Sequence, residues 1–188
     1  MADAVLVRAD AHNRQLADSL DGSFIVDARL CLHAKADRIG YTIEAVAPYR
    51  KRYADDDAAG AAPRIADSYL QNDDDTAAYL VLVQGRAAGL LLLSRGWNGF
   101  ALIEQIEVDR AQRRRGLGTL LLAQAEHWAR EHGLAGLRLE TQDVNVAACE
   151  LYARNGFVLG GFDRCLYAAI PAHRAETALY WYRLFDRA

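Results

Sequence analysis

Ile103-Glu-Gln-Ile-Glu-Val-Asp-Arg-Ala-Gln-Arg-Arg-Arg-Gly-Leu-Gly118 is the stretch from which the rest of this chain can be read. It begins as an apolar strand pattern that ends at Val108. A short polar segment follows, and an Arg/Gly turn then opens into the helix-forming run Thr119-Leu-Leu-Leu-Ala-Gln-Ala-Glu-His-Trp-Ala-Arg130. Gly116 and Gly118 lack a Cβ, so the backbone can turn tightly there and let a ligand approach its amides. The first turn of a helix leaves several N–H groups without partners, and its dipole adds partial positive charge. Such an end binds phosphate readily. Arg113, Arg114 and Arg115 add fork-shaped cationic donors, which suit a polyphosphate better than a single carboxylate. Two common phosphate motifs do not fit: no Gly-Lys-Ser/Thr triplet follows, and only two of the three glycines of the dinucleotide fingerprint are present. The plainer reading of the turn is a basic surface loop that caps an ordinary helix.

Working outward, Ala77 to Gln84 and Gly89 to Ser94 read as strands joined at Gly85-Arg86, and Phe100 to Val108 makes a third antiparallel strand before the turn. After it, Leu117, Leu121, Ala125 and Trp128 recur at helical spacing, and Gly133 closes that helix. Leu137 to Glu140 follows a crossover helix and should therefore run parallel to Ile103–Val108. Asn145 reads as the N-cap of a second helix that Asn155-Gly156 terminates. Phe157 to Tyr167 is one more strand or hairpin, and the aromatic tail Leu179 to Phe185 packs over the sheet or continues it. Towards the N-terminus, Val5 to Arg8 is a candidate strand. His12 to Leu20 is a short helix that stops at Asp21-Gly22-Ser23. Phe24 to His33 and Gly40 to Val46 are strands around a turn at Ala34 to Asp37. Tyr49 to Asp75, with its Asp and Ala clusters, Gly60 and Pro63, reads as a solvated loop with a short helix at Arg64 to Leu70. The alternative for this loop is an acidic lid that attracts a polycation. The sum is an α/β fold: one domain over 1–188 with a single mixed, mostly antiparallel sheet of about seven strands and helices on both faces.

A chain of 188 residues can bury a substantial core. Its net charge of −3 argues against a nucleic-acid binder, which usually carries a basic excess. The arginine cluster is thus local rather than a field. No apolar run approaches the roughly 20 residues that cross a bilayer. Cys31, Cys149 and Cys165 lack metal-ligand spacing, and an odd number of thiols fits a reducing cytoplasm. Cys149 reads as a small buried apolar residue. His127 and His132 lie five apart on a helix, which does not bring them together on a metal.

Arg113-x-x-Gly116-x-Gly118 resembles the Arg/Gln-x-x-Gly-x-Gly/Ala signature of the GNAT superfamily of acyl-CoA-dependent N-acyltransferases. A second family block follows in order: Leu137-Arg-Leu-Glu140, then Asn145-Val-Ala-Ala-Cys-Glu-Leu-Tyr152-Ala-Arg-Asn-Gly156-Phe157. Leu20-Asp-Gly-Ser-Phe24, Gly96-Trp97-Asn98, Ile103–Val108, Leu139–Asn145 and Asp163-x-x-Leu-Tyr167 are further similar to segments of the streptothricin (nourseothricin) acetyltransferases, which acetylate an amino group of the antibiotic's β-lysine part. The likeness runs from about Leu20 to Tyr180-Trp-Tyr182 and is weakest from Tyr49 to Asp75.

The resemblance implies acetyl-CoA as cosubstrate, held by Arg113–Thr119 through its pyrophosphate, with no metal. Its pantetheine would lie in a gap between Ile103–Val108 and Leu137–Glu140, where Ile106, Glu107 and Val108 line one side and the backbone groups of Ile106 and Val108 meet its amides. Asn145 and Tyr152 share one face of a helix about 10 Å end to end. Asn145 would hold the carrier's polar arm, and Tyr152 would give a proton to the departing thiolate. A phenol near pKa ~10 and a thiol near ~8.5 are matched for that. The acceptor is the harder problem, because an ammonium of pKa ~10.4 costs roughly 4.6 kcal/mol to deprotonate at pH 7. A carboxylate is therefore expected. Glu104 is the first choice and Glu107 the second; on a regular pleat they point to opposite faces, and a bulge would change that. Their plainer role is a salt bridge to the arginine turn. Asp21, Trp97, Glu140 and Asp163 join Glu104 as candidates for binding a small cationic amine, although turn or surface chemistry explains each singly. A second copy of the chain is an admissible partner. The rival functions are acetylation of another amine (a polyamine, an aminoglycoside or a protein N-terminus) and a non-catalytic acyl-CoA-binding module.

Overall fold

The computed structural model describes residues 4–35, 38–53, 63–71 and 74–186. Nine strands and two α-helices occur among these: β1 (Ala4–Arg8), β2 (Phe24–Ala34), β3 (Ile39–Lys51), β4 (Thr76–Val83), β5 (Arg86–Arg95), β6 (Ala101–Val108), α1 (Leu117–Glu131), β7 (Gly136–Gln142), α2 (Val146–Arg154), β8 (Val158–Asp163) and β9 (Ala178–Leu184). Seven strands form one sheet in the order β1-β4-β5-β6-β7-β9-β8. All its pairs are antiparallel except β6–β7, the pair that spans the α1 crossover. The expected seven-stranded mixed sheet is therefore present, but β2 and β3 stand apart from it as a two-stranded ribbon. The aromatic tail continues the sheet from within, since β9 inserts between β7 and β8.

The elements follow from local chemistry. Gln84 and Gly85 both take positive φ, so the β4–β5 turn sits there, one residue before Gly85-Arg86. On α1, Leu117, Leu121, Leu122, Ala125, Trp128 and Ala129 are buried. They pack with Ala77, Tyr79, Val81, Leu91 and Leu93 on one face of the sheet. Each large member contributes roughly 1.5–3 kcal/mol of apolar burial. On the opposite face Ala78, Leu80, Leu90 and Leu92 pack against Ala17, Leu20 and Ile65. The elements there are 3-10 turns, Arg14–Ser19 and Asp67–Leu70, shorter than the helices expected at His12–Leu20 and Arg64–Leu70. Gly133, with φ 64°, follows the α1 C-cap as anticipated.

Tyr49 to Asp75 departs most from expectation. β3 continues to Lys51, so Tyr49, Arg50 and Lys51 are strand residues paired with β2, not the start of a loop. The proposed acidic lid falls largely on 54–62, 72 and 73, outside the described residues.

Gly136 opens β7 at a point where a methyl group would run into the Arg183 carbonyl of β9 and approach Leu184 Cα to 3.1 Å. Backbone cannot yield as a side chain can. Gly136→Ala should lower stability by about 1–3 kcal/mol in urea titration. Gly40→Ala, whose methyl would meet only the His33 carbonyl at 3.9 Å, should leave the midpoint unchanged.

Candidate active site

The Arg/Gly turn leads into α1 through Gly116, whose φ of 82° is the left-handed conformation at the N-cap. A Cβ at Gly116 would meet nothing within 4 Å, so glycine is required there by the backbone, while a Cβ at Gly118 would lie 2.8 Å from Leu151 of α2. Gly118 thus serves the packing of one helix on the other. The first bond of the helix runs from Leu120 N to Gly116 O. The N–H groups of Leu117, Gly118 and Thr119 accordingly have no carbonyl within the helix and form the anion-ready end.

The three arginines do not act alike. Arg113 turns inward: its Nε donates to Val108 O at 3.2 Å and its Nη2 to Gly22 O at 2.8 Å. The expectation that its fork faces a polyphosphate is corrected, because carbonyls of the protein occupy it. Arg114, at φ 64°, is exposed, and exposed Arg115 donates to Gln112. Asp21 is drawn into the same clasp. Its N–H donates to Asp109 Oδ2 at 2.9 Å, and its carbonyl accepts from Arg110 N at 2.7 Å. Its carboxylate accepts from Ser23 N, and Arg50 lies 3.4 Å away. Hydrogen bonds from Ser23 chiefly, then the Arg50 and Arg110 charges, hold that carboxyl below its usual range.

β6 and β7 are paired only from Ala101↔Leu137 to Ile103↔Leu139. Beyond that the strands part, and the gap lies where it was expected. Asp109 N bonds Ala88 O, which sets the phase of the β5–β6 ladder. Glu107 then faces β5, and Ile106 and Val108 turn their backbone groups into the gap. The Val108 carbonyl is already taken by Arg113.

At the parting, the register on β5 shifts between Leu92↔Gln105 and Leu93↔Ile103, leaving Glu104 as a bulge. The bulge breaks the alternation, so Glu104 and Glu107 share the face away from α1 rather than opposite faces. Glu104 accepts from Ser94 Oγ at 2.6 Å. Glu107 accepts from Arg64 Nη1 and Gln105 Nε2, each at 2.9 Å. Its ion pair is with Arg64, from the stretch expected to be a loop, and not with the arginine turn.

A group of polar side chains from distant parts of the chain gathers around Glu140 of β7 and Asn145. Asn145 caps α2 by accepting from Ala148 N, and its Nδ2 lies 3.1 Å from Tyr53 Oη. Tyr53 leaves part of its ring in solvent; burial pushes its phenol up against the pull of hydrogen bonds from Asn145 and Thr141. Lys51 is buried and bonds His173 Nδ1 at 2.8 Å and Glu176 Oε1 at 2.5 Å. Glu176 Oε2 also lies 3.3 Å from His173 Nδ1, so the three side chains form one cluster. Tyr167 donates to Glu140 Oε1. Burial pushes the Glu140 carboxyl up, against that hydrogen bond. Tyr152 is 4% exposed, its ring against Phe157 and Trp181. Burial holds its phenol well above the ordinary value, with Cys149, Tyr53 and Glu140 adding to the shift. The close match to a thiol in water is therefore lost. Cys149 is buried, its thiol pushed up to about 12 by desolvation, as suits an unreactive core residue.

The acetyltransferase (GNAT) family pattern matches residues 43–157. The chain belongs to this family. GNAT acetyltransferases are acetyl-CoA-dependent N-acetyltransferases, and so is this protein. Streptothricin acetyltransferase A of Bacillus subtilis (strain 168) is 40% identical over 138 residues, 73% of this chain and 75% of that protein. Streptothricin acetyltransferase of Escherichia coli is 37% identical over 89% of this chain and 90% of its own. A candidate streptothricin acetyltransferase of Bacillus anthracis strain Ames, solved in complex with acetyl coenzyme A, superposes with a TM-score of 0.84 at 37% identity, covering 98% of this chain and 99% of that one.

In this GNAT enzyme β6 has no pairing with β7 beyond Ile103, and the arginine turn carries the chain from the end of β6 into the first turn of α1. Glu104 and Glu140 are the first residues past the paired segment, Glu107 lies further along β6, Asp21 is bonded to Asp109 and Arg110 beyond its end, and Asn145 and Tyr152 lie on α2 and its cap. Trp97 is 94% exposed in the β5–β6 turn, beside Gly99, whose carbonyl accepts from Ala135 N past the C-terminal end of α1. The length of α1, about 22 Å, separates it from the phosphate turn. Asp163 accepts from Cys165 N and Leu166 N, a turn role. Lys51, Tyr53, Arg64, Tyr167, His173 and Glu176 escaped the sequence reading. The Tyr49-Arg-Lys-Arg-Tyr53 run, basic and aromatic unlike the acidic loop after it, was a signal for Lys51 and Tyr53, and the Asp163-x-x-Leu-Tyr167 segment was one for Tyr167.

Arg113 ties the turn to β6 and to Gly22 with a fork that lysine cannot reproduce. Arg113→Lys should cost about 1.5–3 kcal/mol of stability. Arg114→Ala should leave the urea midpoint within ~0.5 kcal/mol of the parent.

Proposed function

We propose that this enzyme moves the acetyl group of acetyl-CoA to a primary amine on the β-lysine moiety of streptothricin, conferring resistance on a cytoplasm in which it resides. The reading is supported by the two streptothricin acetyltransferases at 37–40% identity over most of the chain. The observation that carries the chemistry is the parting of β6 from β7 beside the buried phenol of Tyr152.

Leu117, Gly118 and Thr119 amides, with Arg114 and Arg115 at the rim, hold the pyrophosphate, and Arg113 and Gly116 shape the turn that presents them. Ile106 and Val108 align the carrier along the open edge beside Glu107. Asn145 stands between the two substrates, with its carboxamide oxygen on the helix and its nitrogen on Tyr53. Acetyl-CoA supplies an acyl thioester, activated for direct attack in a ternary complex. Tyr152 stays neutral at every working pH because burial disfavours its anion, so it acts first as an O–H donor to the sulfur as charge develops there. Proton transfer completes when the thiolate, in the same dry pocket, is raised towards it.

Carboxylates around the acceptor side favour a cation. Glu104 and Glu140 flank the point of parting, and Asp21 lies beside the phosphate turn. The fold would equally admit a polyamine or an aminoglycoside, so the acceptor is tested directly. Thiol release with acetyl-CoA should be fast with streptothricin and slow with spermidine, kanamycin and an N-terminal peptide. Expression should also permit growth on the antibiotic. Faster release with another amine would reassign the substrate, and acetyl-CoA binding without release for any amine would make the chain a binding module. Tyr152→Phe should lower kcat ~10²-fold with KM and acetyl-CoA affinity little changed; parental kcat would remove Tyr152 from the chemistry.

A further inference from the structure

The two strands that line the gap separate after Ile103 and Leu139, and the next residue on each side is a glutamate, Glu104 on β6 and Glu140 on β7. The surroundings of the two differ. Glu104 bonds Ser94 and lies on the flank near Tyr69 of the 67–70 turn. Glu140 is held by the Tyr167 hydroxyl, and its charge is felt by Tyr53, Tyr152 and Tyr180. Tyr167 is itself fixed: it is buried and its ring packs edge-on to His173, 6.3 Å between centroids. His173 in turn is bonded by Lys51, whose ammonium also meets Glu176. Glu140 is nonetheless reachable from solvent.

We propose that Glu140 is the base that takes the proton from the acceptor ammonium, and that Tyr167 is the positioning residue that aims its carboxylate into the gap. The inference rests on the amine acetyltransferase reading above and names the residue that makes the acceptor reactive. An N–H bond of the ammonium breaks and its proton goes to the Glu140 carboxylate, leaving the nitrogen lone pair free. That pair forms the N–C bond at the thioester carbonyl. Collapse of the tetrahedral intermediate breaks the C–S bond, with its electrons on sulfur, which takes the Tyr152 proton. The amide nitrogen gives up its second proton, which restores the Tyr152 phenol, and Glu140 releases the first to bulk water. One proton is liberated per acetyl group transferred, as neutral amide and thiol are the products.

The groups that face Glu140 are Tyr167, Tyr53, Tyr152, Tyr180 and Glu176, with Arg138 on its own strand next to Tyr180. Lys51 neutralises Glu176. The carboxyl is pushed up by burial and down by the Tyr167 hydrogen bond. A base must be deprotonated to act, so kcat/KM should rise with pH through the Glu140 pKa. Removing the Tyr167 hydroxyl removes a bond that favours the carboxylate, so that limb should move to higher pH.

The test is the pH profile of thiol release with streptothricin for the parent, Glu140→Gln, Tyr167→Phe and Glu104→Gln, with acetyl-CoA affinity by calorimetry as the check on folding. Glu140→Gln should lose ~10²–10⁴-fold in kcat and its acid limb while binding acetyl-CoA normally. Tyr167→Phe should keep turnover within about tenfold and shift the limb upward. A parental profile in Glu140→Gln overturns the assignment, as does a limb lost only in Glu104→Gln. An unshifted limb in Tyr167→Phe removes the positioning role. If the parent chain releases thiol with no amine, the function proposed above fails and this inference falls with it; parental turnover with an unaffected Glu140→Gln sinks the inference alone.

Discussion

A pair of adjacent parallel strands that stop pairing inside a sheet leaves a row of backbone N–H and C=O groups facing nothing, and such groups must find partners. In this chain β6 and β7 pair through three register positions and then diverge. Much of the surrounding structure holds that divergence open. Arg113 occupies the Val108 carbonyl and pins Gly22; Asp109 and Arg110 bond the backbone of Asp21; Arg64 pairs with Glu107 on the outer face of β6. The groups of Ile106 remain as an edge that an extended molecule can complete in the manner of an added strand. The bulge at Glu104 sits at the branch point and serves two ends, bending β6 away and turning Glu104 to the face of Glu107.

A buried ion cluster joins the end of β3 to the segment before β9. Lys51 and Glu176 are taken out of water together, with His173 as a third partner. Desolvation of such a pair can cost as much as its attraction returns, so the cluster is weak evidence for stability. Its geometric effect is clear. It locks the end of β3 to the segment before β9, and thereby fixes Tyr53 on Asn145 and Tyr167 on Glu140. Four stretches far apart in sequence meet there, and none is ordered for this purpose alone.

That non-locality separates what could be read in the sequence from what could not. The strand, turn and helix of Ile103–Arg130 declare themselves through short-range periodicity, glycine conformation and capping, and the order of the second block fixes the parallel pair. Those signals act over a few residues. The continuation of β3 to Lys51 depends on pairing with Phe24, which no local pattern states. The three adjacent arginines look alike in sequence, and only the positive φ of Arg114 and the carbonyls of Val108 and Gly22 make Arg113 an internal tie. Trp97 shows how position follows from strand direction. An aromatic residue near glycines in a family-like segment suggested a ligand contact, and its position at the far end of β6 follows from the strand direction. Glu104 and Glu107 were placed on opposite faces by a regular pleat, and one extra residue cancels that parity.

One physical cause gives the two acid groups of the gap opposite uses. Withdrawal from water disfavours the charged form of both a phenol and a carboxylate, so both pKa values move up. For Tyr152 the consequence is a phenol that carries its proton when the sulfur leaves, which suits a group whose task is to donate. For Glu140 the same shift moves a weak base towards neutrality, which suits a group whose task is to accept. A polar pocket would have left the carboxylate less basic; it would also have made the phenol a stronger acid, so what burial secures for Tyr152 is the presence of its proton and not the ease of giving it up. The degree of burial must still be bounded for the carboxylate, because a fully enclosed Glu140 would be protonated before an ammonium arrived. Its solvent-reachable side chain and the Tyr167 hydrogen bond supply that bound, and the deeper position of Tyr152 in the core has no such relief.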